Sequence, residues 1–237
     1  MLGFDALYLV LVLPALALSL YATWKTRSAF KKYSKVRTLS GLTGAQAARK
    51  LLDSAGIVDV EIVPTRGTLS DHYNPLTKKL ALSEPVYASP SVAAVGVACH
   101  EAGHAIQHAH RYAPLWLRSA LVPTANIGSK LGYFVMFGGL MLMFMGGGEL
   151  GQRIVVLGAI LFSAVLLFQI VTLPVEFDAS ARAKRLAVEH GIVLEQERAG
   201  MSKVLNAAAL TYVAAVVSTL MTLLYFLLRA GVLGSRD

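Results

Sequence analysis

Four long apolar runs constrain the fold of this chain more than any other feature of its sequence. They cover residues 6–24, 131–145, 153–173 and 206–228, and apart from Arg153 at the start of the third run they contain no charged residue. A helix of about 20 apolar residues crosses the ~30 Å hydrocarbon core of a bilayer. The chain is 15% charged, against about 25% in ordinary soluble domains. We therefore predict a mainly α membrane protein with about four transmembrane helices.

The first apolar run has a rival interpretation as a cleavable signal peptide. A signal peptide would begin with a basic segment and would have a shorter apolar core. Here Asp5 precedes the run, and Lys25 and Arg27 follow it. We therefore interpret residues 1–24 as an uncleaved first transmembrane helix.

Four spans place alternate polar segments on opposite sides of a membrane. The predicted segments are the first transmembrane helix (1–24), a long polar segment (25–125), two transmembrane helices (126–174), a short polar segment (175–205), and the fourth transmembrane helix with the C-terminus (206–237). The side that holds both polar segments carries 19 of the 22 Lys and Arg residues, 18 of them in the two segments and the other, Lys130, at the start of the second span. Basic residues favour the cytoplasmic side, so we expect both segments to face the cytoplasm. The net charge of +8 then indicates an anionic membrane face and no nucleic-acid partner.

The long polar segment has the pattern of a small α+β part. A strand is predicted over residues 57–63 and should end at Pro64. Asn74-Pro75 marks a turn before an alternating strand at 79–83, which predicts a β-hairpin. A helix should follow, with Pro90 at its first position. Such a hairpin can supply an edge strand, to which an extended peptide can add by main-chain hydrogen bonds.

That helix contains the pattern His100-Glu101-x-x-His104. Residues four apart share one helical face, so both imidazoles can reach one Zn²⁺, and Glu101 would lie beside the activated water as a general base. The alternative is a solvated helix with three polar residues. The neighbouring residues are mostly apolar, which is typical of a buried helix, and buried polar groups need partners. Cys99, the single cysteine, excludes an internal disulfide and is better placed as a small core residue than as a ligand.

A catalytic zinc ion needs a third protein ligand. His110 has the spacing of the third histidine in His-Glu-x-x-His-x-x-Gly-x-x-His, but Gln107 stands where that pattern needs glycine. His108 lies ~80° away from the face of the first ligand. Glu176 follows the third apolar run on the same predicted side of the membrane, although it could simply begin an exposed helix. The predicted ligands of one zinc ion per chain are His100, His104 and Glu176.

Three blocks of sequence together resemble the bacterial membrane zinc metallopeptidases typified by YugP. They are the zinc motif continued to His108, the stretch Glu176-Phe177-Asp178-Ala179-Ser180, and an upstream run from Ser70 to Tyr87. The resemblance covers most of the chain and implies a bacterial inner-membrane location, a zincin-like catalytic part and a polypeptide substrate. More distantly the chain is similar to the HtpX and CAAX prenyl protease group (gluzincins), whose zinc Glu lies in Glu-x-x-x-Asp. Ser180 stands at the place of that Asp, and Asp178 is the alternative carboxylate that could orient a histidine.

These residues predict zinc-dependent hydrolysis of peptide bonds in membrane or membrane-adjacent proteins. Glu101 would take a proton from the attacking water and deliver it to the leaving amine. The oxyanion needs a donor besides the metal. The candidates are His72, Tyr73 and Arg182, each of which also has an ordinary interpretation as a surface or turn residue.

Two other functional classes are weaker alternatives. A zinc-stabilised membrane scaffold or adaptor with little turnover would use a structural zinc site, and such sites mostly have four ligands rich in Cys, whereas this chain has one Cys. A transporter would carry ionisable groups within its spans, and the apolar runs hold almost none. The substrate, the oligomeric state and any protein partner are left open by the sequence.

Overall fold

The computed structural model describes residues 5–233, and the ends of the predicted terminal segments, 1–4 and 234–237 with Arg236, lie outside them. The elements in chain order are α1 (Ala6–Tyr33), α2 (Gly44–Ser54), β1 (Glu61–Thr65), β2 (His72–Asn74), β3 (Lys79–Ser83), α3 (Glu84–Tyr87), α4 (Val92–Ala109), α5 (Ala113–Ile127), a π-helical turn (Gly128–Gly132), α6 (Tyr133–Phe144), α7 (Gly148–Glu189) and α8 (Glu195–Arg229). They form two compact units. The helical unit contains the residues up to Tyr21, Leu117–Leu173 and those from Tyr212 onward, and the α/β unit contains Ala22–Trp116 and Pro174–Thr211.

Four helical stretches among residues 5–233 are long and apolar enough to cross a membrane. They are Ala6–Tyr33, Ala113–Phe144, Gly148–Glu189 and Glu195–Arg229. In the most apolar 18-residue part of each stretch, no more than 28% of the residues are buried inside the protein. The remaining surface is free to face lipid. The prediction of a mainly α membrane protein with about four spans and a small α+β part is confirmed. The helices extend beyond the apolar runs, because polar residues at their ends continue the same hydrogen-bonded backbone.

Glycines allow close helix contacts within the helical unit. A Cβ at Gly132 would lie 2.7 Å from the backbone nitrogen of Phe162, and one at Gly139 would lie 2.7 Å from that of Val155. Any side chain at either glycine would therefore push the π-helical turn or α6 away from α7. Small residues at such contacts are usual in membranes, where helix association depends on packing and hydrogen bonds.

The sheet of the α/β unit has the strand order β1-β3-β2. β2 and β3 pair antiparallel, with His72 opposite Ala81, so a hairpin precedes the metal-binding helix as expected, but its first strand is 72–74, for which the sequence predicted no strand. β1 pairs parallel with β3 and continues through Pro64 to Thr65, so the expectation that Pro64 ends this strand is wrong. Pro64 is tolerated because β1 is an edge strand and does not need every backbone N–H for the ladder. β2 is the other edge of the sheet.

Helix α4 begins later than expected. Ser91 is its N-cap, and the Ser91 hydroxyl accepts a hydrogen bond from the backbone N–H of Ala94 at 3.2 Å. A side-chain oxygen can satisfy the N-terminal N–H groups of a helix in this way, so Ser91, and not Pro90, defines the start. α4 is buried over most of its length. The core around it is formed by Leu51, Leu52, Leu80, Leu82, Ile192 and Met201, which pack with Ala98, Ala102 and Ile106 of α4.

Candidate metal centre

Three side chains that can bind a metal converge where α4 meets α7. His100 Nε2 lies 3.3 Å from Glu176 Oε2, and His104 Nε2 lies 3.6 Å from the same oxygen. The ligand atoms of the three residues all lie within 4.8 Å of one another. Two residues one helical turn apart on α4 and one residue on α7 therefore present two nitrogens and one oxygen toward a common point.

Both histidines present Nε2 to this point because their Nδ1 atoms have other partners. His104 Nδ1 donates a hydrogen bond to Gln107 Oε1 at 3.0 Å. His100 Nδ1 lies 3.1 Å from Ser180 Oγ. A hydrogen bond at one ring nitrogen fixes the ring orientation and leaves the other nitrogen as a metal ligand.

The side-chain amide of Gln107 connects α4 to α7. It is fully buried. Its Nε2 donates to Asp178 Oδ2 at 2.7 Å and to the backbone oxygen of Val175 at 2.8 Å. Asp178 also accepts a hydrogen bond from Arg182 Nε at 2.6 Å. A chain of contacts thus runs from Arg182 through Asp178 and Gln107 to the His104 ring.

Gly103 allows the two helices to approach. A Cβ at this position would lie 2.7 Å from the backbone oxygen of Ala179. Ala179 is itself fully buried, as are Ala183 and Ala187 further along the same face of α7. Small residues on both helices therefore allow the backbone contact that brings Glu176 to the two histidines.

The electrostatics of the cluster suit a divalent cation. Burial raises the pKa of the Glu176 carboxyl, but hydrogen bonds and charge from His100 and His104 outweigh this and hold it well below its usual range. Burial lowers the pKa of His104, but Glu176 and the charge of Glu101 reverse this and raise it overall. Glu176 is 1% exposed and Glu101 is 8% exposed. Two buried carboxylates beside two imidazoles need positive charge, and the donor set of two His nitrogens and one carboxylate oxygen is one that zinc accepts with a position left open. The residues present therefore fit a zinc ion.

The structure places the rejected ligand candidates away from this cluster. His110 is the exposed C-cap residue of α4 and lies outside the converging group. His108 Nδ1 lies 2.8 Å from the Tyr73 hydroxyl instead. Cys99 is fully buried in the core, and burial raises the pKa of its thiol to about 12, so it remains a neutral core residue.

The three predicted oxyanion donors occupy different surroundings. His72 is exposed on β2, with its Nδ1 2.9 Å from the backbone oxygen of Ser70. Tyr73 also lies on β2, and burial, assisted by the charge of Asp59, raises the pKa of its hydroxyl to about 12. The Arg182 guanidinium contacts Asp178 and lies over the Tyr112 ring at 5.8 Å from the ring centre.

Sequence reasoning missed the roles of Gln107 and Gly103. From the sequence, Gln107 was considered only as the residue at the glycine position of His-Glu-x-x-His-x-x-Gly-x-x-His, and no role was predicted for Gly103. A signal for Gln107 was nonetheless present, because an uncharged polar residue on a helix whose pattern predicts burial must find a hydrogen-bond partner. The partners themselves lie 68 and 71 positions away in the chain, beyond the reach of any local pattern.

Comparisons with known proteins agree with the chemistry of this site. The sequence profile of a family described as "Putative neutral zinc metallopeptidase" matches residues 8–231. The chain is 48% identical over 223 residues to a protein of Bacillus subtilis (strain 168) named "Putative membrane protease YugP", an alignment that covers 94% of this chain and 96% of that protein. No solved structure matches the chain.

Proposed function

The chain belongs to this family of zinc metallopeptidases, and on that premise we propose that it is an integral membrane metalloendopeptidase that hydrolyses peptide bonds of membrane or membrane-adjacent proteins. The observation that carries the proposal is the convergence of His100 Nε2, His104 Nε2 and Glu176 Oε2 within 4.8 Å of one another, with the Glu101 carboxylate beside them. Two histidines and a glutamate as zinc ligands would make this a site of gluzincin type, and three protein ligands would leave a fourth zinc position for the reaction.

The proposed division of roles follows from the positions of the side chains. The two histidines and Glu176 would hold the zinc ion, which supplies a Lewis acid that polarises the scissile carbonyl and makes water nucleophilic near neutral pH. Glu101 takes the proton from the attacking water and passes it to the nitrogen of the leaving amine. Gln107 and Ser180 hold the two imidazoles in the orientation that directs Nε2 to the metal.

The substrate would bind as an extended strand beside β2. β2 is an edge of the sheet, so its free edge can pair with a peptide backbone. His72 and Tyr73 of this strand stay the candidates for stabilising the oxyanion, and the Tyr73 hydroxyl would exchange its contact with His108 Nδ1 for the oxyanion. Arg182 is already engaged by Asp178, and we propose for it a positioning role toward the ligand network. The catalytic side is proposed to face the cytoplasm of a bacterial cell, at the inner membrane.

The first test combines zinc content with peptidase activity in full-length protein purified in detergent. We expect about one zinc ion per chain in the wild type, in Glu101→Gln and in His110→Ala, and loss of zinc in Glu176→Ala. We expect Glu101→Gln to lose nearly all hydrolysis while it keeps zinc, because the proton acceptor is gone.

Three results would contradict the proposal. Full activity in zinc-loaded Glu101→Gln would exclude the general-base role. Loss of zinc in His110→Ala with retention in Glu176→Ala would replace the third ligand. A zinc-bound wild type that hydrolyses no peptide or membrane protein, with Glu101→Gln indistinguishable from it, would leave the zinc-stabilised scaffold as the better description.

A further inference from the structure

A small pocket lies beside the C-terminal half of α4. Its volume is about 210 Å³, below the range of ~300–1,000 Å³ that is typical of pockets for whole small molecules. A single amino-acid side chain is the better match for this size. Its chemically distinctive lining residues are Asp59, Tyr73, Lys78, His108, Arg111 and Trp116.

The pocket adjoins the candidate metal centre through two elements. On α4, His108 follows the zinc ligand candidate His104 by one helical turn, a rise of about 6 Å. On β2, the Tyr73 hydroxyl lies 2.8 Å from His108 Nδ1. A peptide that adds to the free edge of β2 would advance about 3.3 Å per residue. A substrate side chain one to three positions from the scissile bond would therefore reach this pocket.

The backbone at Arg111 is unusual for a residue with a side chain. α4 ends at the C-cap His110, and the N–H of Tyr112 bonds to the backbone oxygen of Gln107 at 2.9 Å. Arg111 lies between His110 and Tyr112. Its φ of 52° is in the left-handed region, where glycine is the usual residue. Non-glycine residues are uncommon in this region, and Arg111 shares the conformation with Lys78 of the same pocket, so the backbone motivates a hypothesis of function for these side chains.

The charges of the pocket favour an anionic ligand. Lys78 Nζ already hydrogen-bonds Asp59 Oδ2, which neutralises that pair. Among the described residues no carboxylate pairs with Arg111, so its planar fork of donors is available, and this geometry matches a carboxylate. The walls are aromatic: the Tyr73 and His108 rings are 5.9 Å apart and the His108 and Trp116 rings 6.0 Å apart, centre to centre.

We propose that this pocket is a specificity subsite that binds a carboxylate of the peptide substrate through Arg111. The carboxylate can come from an acidic side chain near the scissile bond or from the C-terminus of the peptide. This inference rests on the proposed peptidase function, and it adds to that function the chemical class of the residue that is recognised.

The test uses internally quenched peptides that carry one Glu, its uncharged isostere Gln, Lys or Phe at successive positions, each with a free or an amidated C-terminus. At one position we expect kcat/KM to be about tenfold higher for Glu than for Gln in the wild type. An effect of amidation in place of the Glu effect would identify the terminal carboxylate as the source. Arg111→Gln should reduce the Glu/Gln ratio of kcat/KM to about one. Arg111→Glu should instead give a higher kcat/KM for Lys than for Glu at the same position.

A matched control and a binding measurement keep the two proposals separable. Lys50→Gln removes an exposed positive charge of α2 that does not line the pocket. It should leave the Glu/Gln ratio of kcat/KM unchanged. Zinc content shows that each Arg111 variant is folded. Binding of the same labelled peptides to zinc-loaded Glu101→Gln is measured by fluorescence anisotropy. It tests the subsite even if the wild type hydrolyses nothing, a result that would count against the peptidase alone.

The subsite proposal is overturned if the wild type shows no dependence on charge or on amidation at any position in these measurements. It is equally overturned if Arg111→Gln and Arg111→Glu keep the wild-type ratio. A preference for aromatic over acidic residues that is independent of charge would assign the pocket to apolar side chains instead.

Discussion

Each imidazole in the candidate centre is oriented by an uncharged side chain: Ser180 contacts His100 Nδ1, and Gln107 accepts from His104 Nδ1. The nearest carboxylate in this network, Asp178, reaches His104 only through the Gln107 amide. The sequence offered two residues, Asp178 and Ser180, as possible partners that orient a histidine. Ser180 contacts His100 directly, and Asp178 acts on His104 through Gln107. Neutral partners add no further negative charge to a cluster that already buries two carboxylates.

At the scale of a residue, Gln107→Leu tests whether the amide positions His104. We expect zinc affinity to fall by about 10- to 100-fold, because His104 Nδ1 loses its acceptor and the ring is no longer held. The measurement is competition for zinc with a chromogenic chelator. The matched control is Gln196→Leu, the same change at an exposed position of α8, which should bind zinc as the wild type does. Unchanged affinity in Gln107→Leu would contradict the positioning role.

Ser180 allows a second test of the same idea at His100. Ser180→Ala should weaken zinc binding by about tenfold, since His100 Nδ1 loses its oxygen partner. Ser180→Asp places there the carboxylate that the more distant zinc peptidases carry, and it should retain zinc at least as well as the wild type, because a charged acceptor forms a stronger hydrogen bond. Isothermal titration of zinc into metal-free protein measures both. Weaker binding by the Asp variant than by the Ala variant would argue against this orientation of the ring.

At the scale of secondary-structure elements, the site depends on how closely α4 and α7 approach. The contact of Gly103 with the backbone of Ala179 sets this distance. Gln107 adds a hydrogen bond from α4 to the backbone of Val175, one residue before Glu176. α4, which carries two ligands, therefore contacts α7 both before and after Glu176, the third ligand.

Gly103→Ala is expected to disturb this contact. Its Cβ would lie 2.7 Å from a backbone oxygen that cannot rotate away, so the helices must separate, at a cost of about 1–3 kcal/mol in unfolding free energy and with loss of zinc affinity. Gly96→Ala is the control on the same helix. Its Cβ would lie 3.2 Å from Met201 Cγ, a flexible side chain that can move. Thermal unfolding and zinc titration of both variants give the comparison, and equal effects would exclude a special role for Gly103.

At the scale of the whole molecule, the distribution of charge indicates its orientation in the membrane. The polar segments 25–125 and 175–205 carry most of the Lys and Arg residues, and they supply all the residues of the candidate centre. Basic residues favour the cytoplasmic side. The catalytic side is therefore expected in the cytoplasm, and the connection between α6 and α7 is expected outside.

Single cysteines test this orientation. In a Cys99→Ala background we expect Glu149→Cys to react with a membrane-impermeant maleimide in spheroplasts, and Lys50→Cys to react only after permeabilisation. Both native side chains are exposed, and Cys99, which is the one native cysteine, is buried. The opposite labelling pattern would reverse the topology.

The sequence by itself determined the features that depend on neighbours along the chain. Uncharged apolar runs predict membrane-length helices because a backbone in hydrocarbon must satisfy its own hydrogen bonds, and four such helices are found among residues 5–233. The spacing of His100 and His104 places both on one face of any helix. The turn residues Asn74-Pro75 and the alternating strand pattern at 79–83 predicted a hairpin at this place, although its first strand, 72–74, has no pattern of its own.

Only the tertiary structure decided which residues meet those histidines. Parity could place Glu176 on the same side of the membrane, but the 3.3 Å and 3.6 Å distances to the imidazoles depend on the approach of α7 to α4. Gly103, Gln107 and Ser180 acquire their roles from partners about 70 to 80 positions away. No local pattern encodes such partners, because contacts between distant segments arise from packing of the whole core and not from the periodicity of one element.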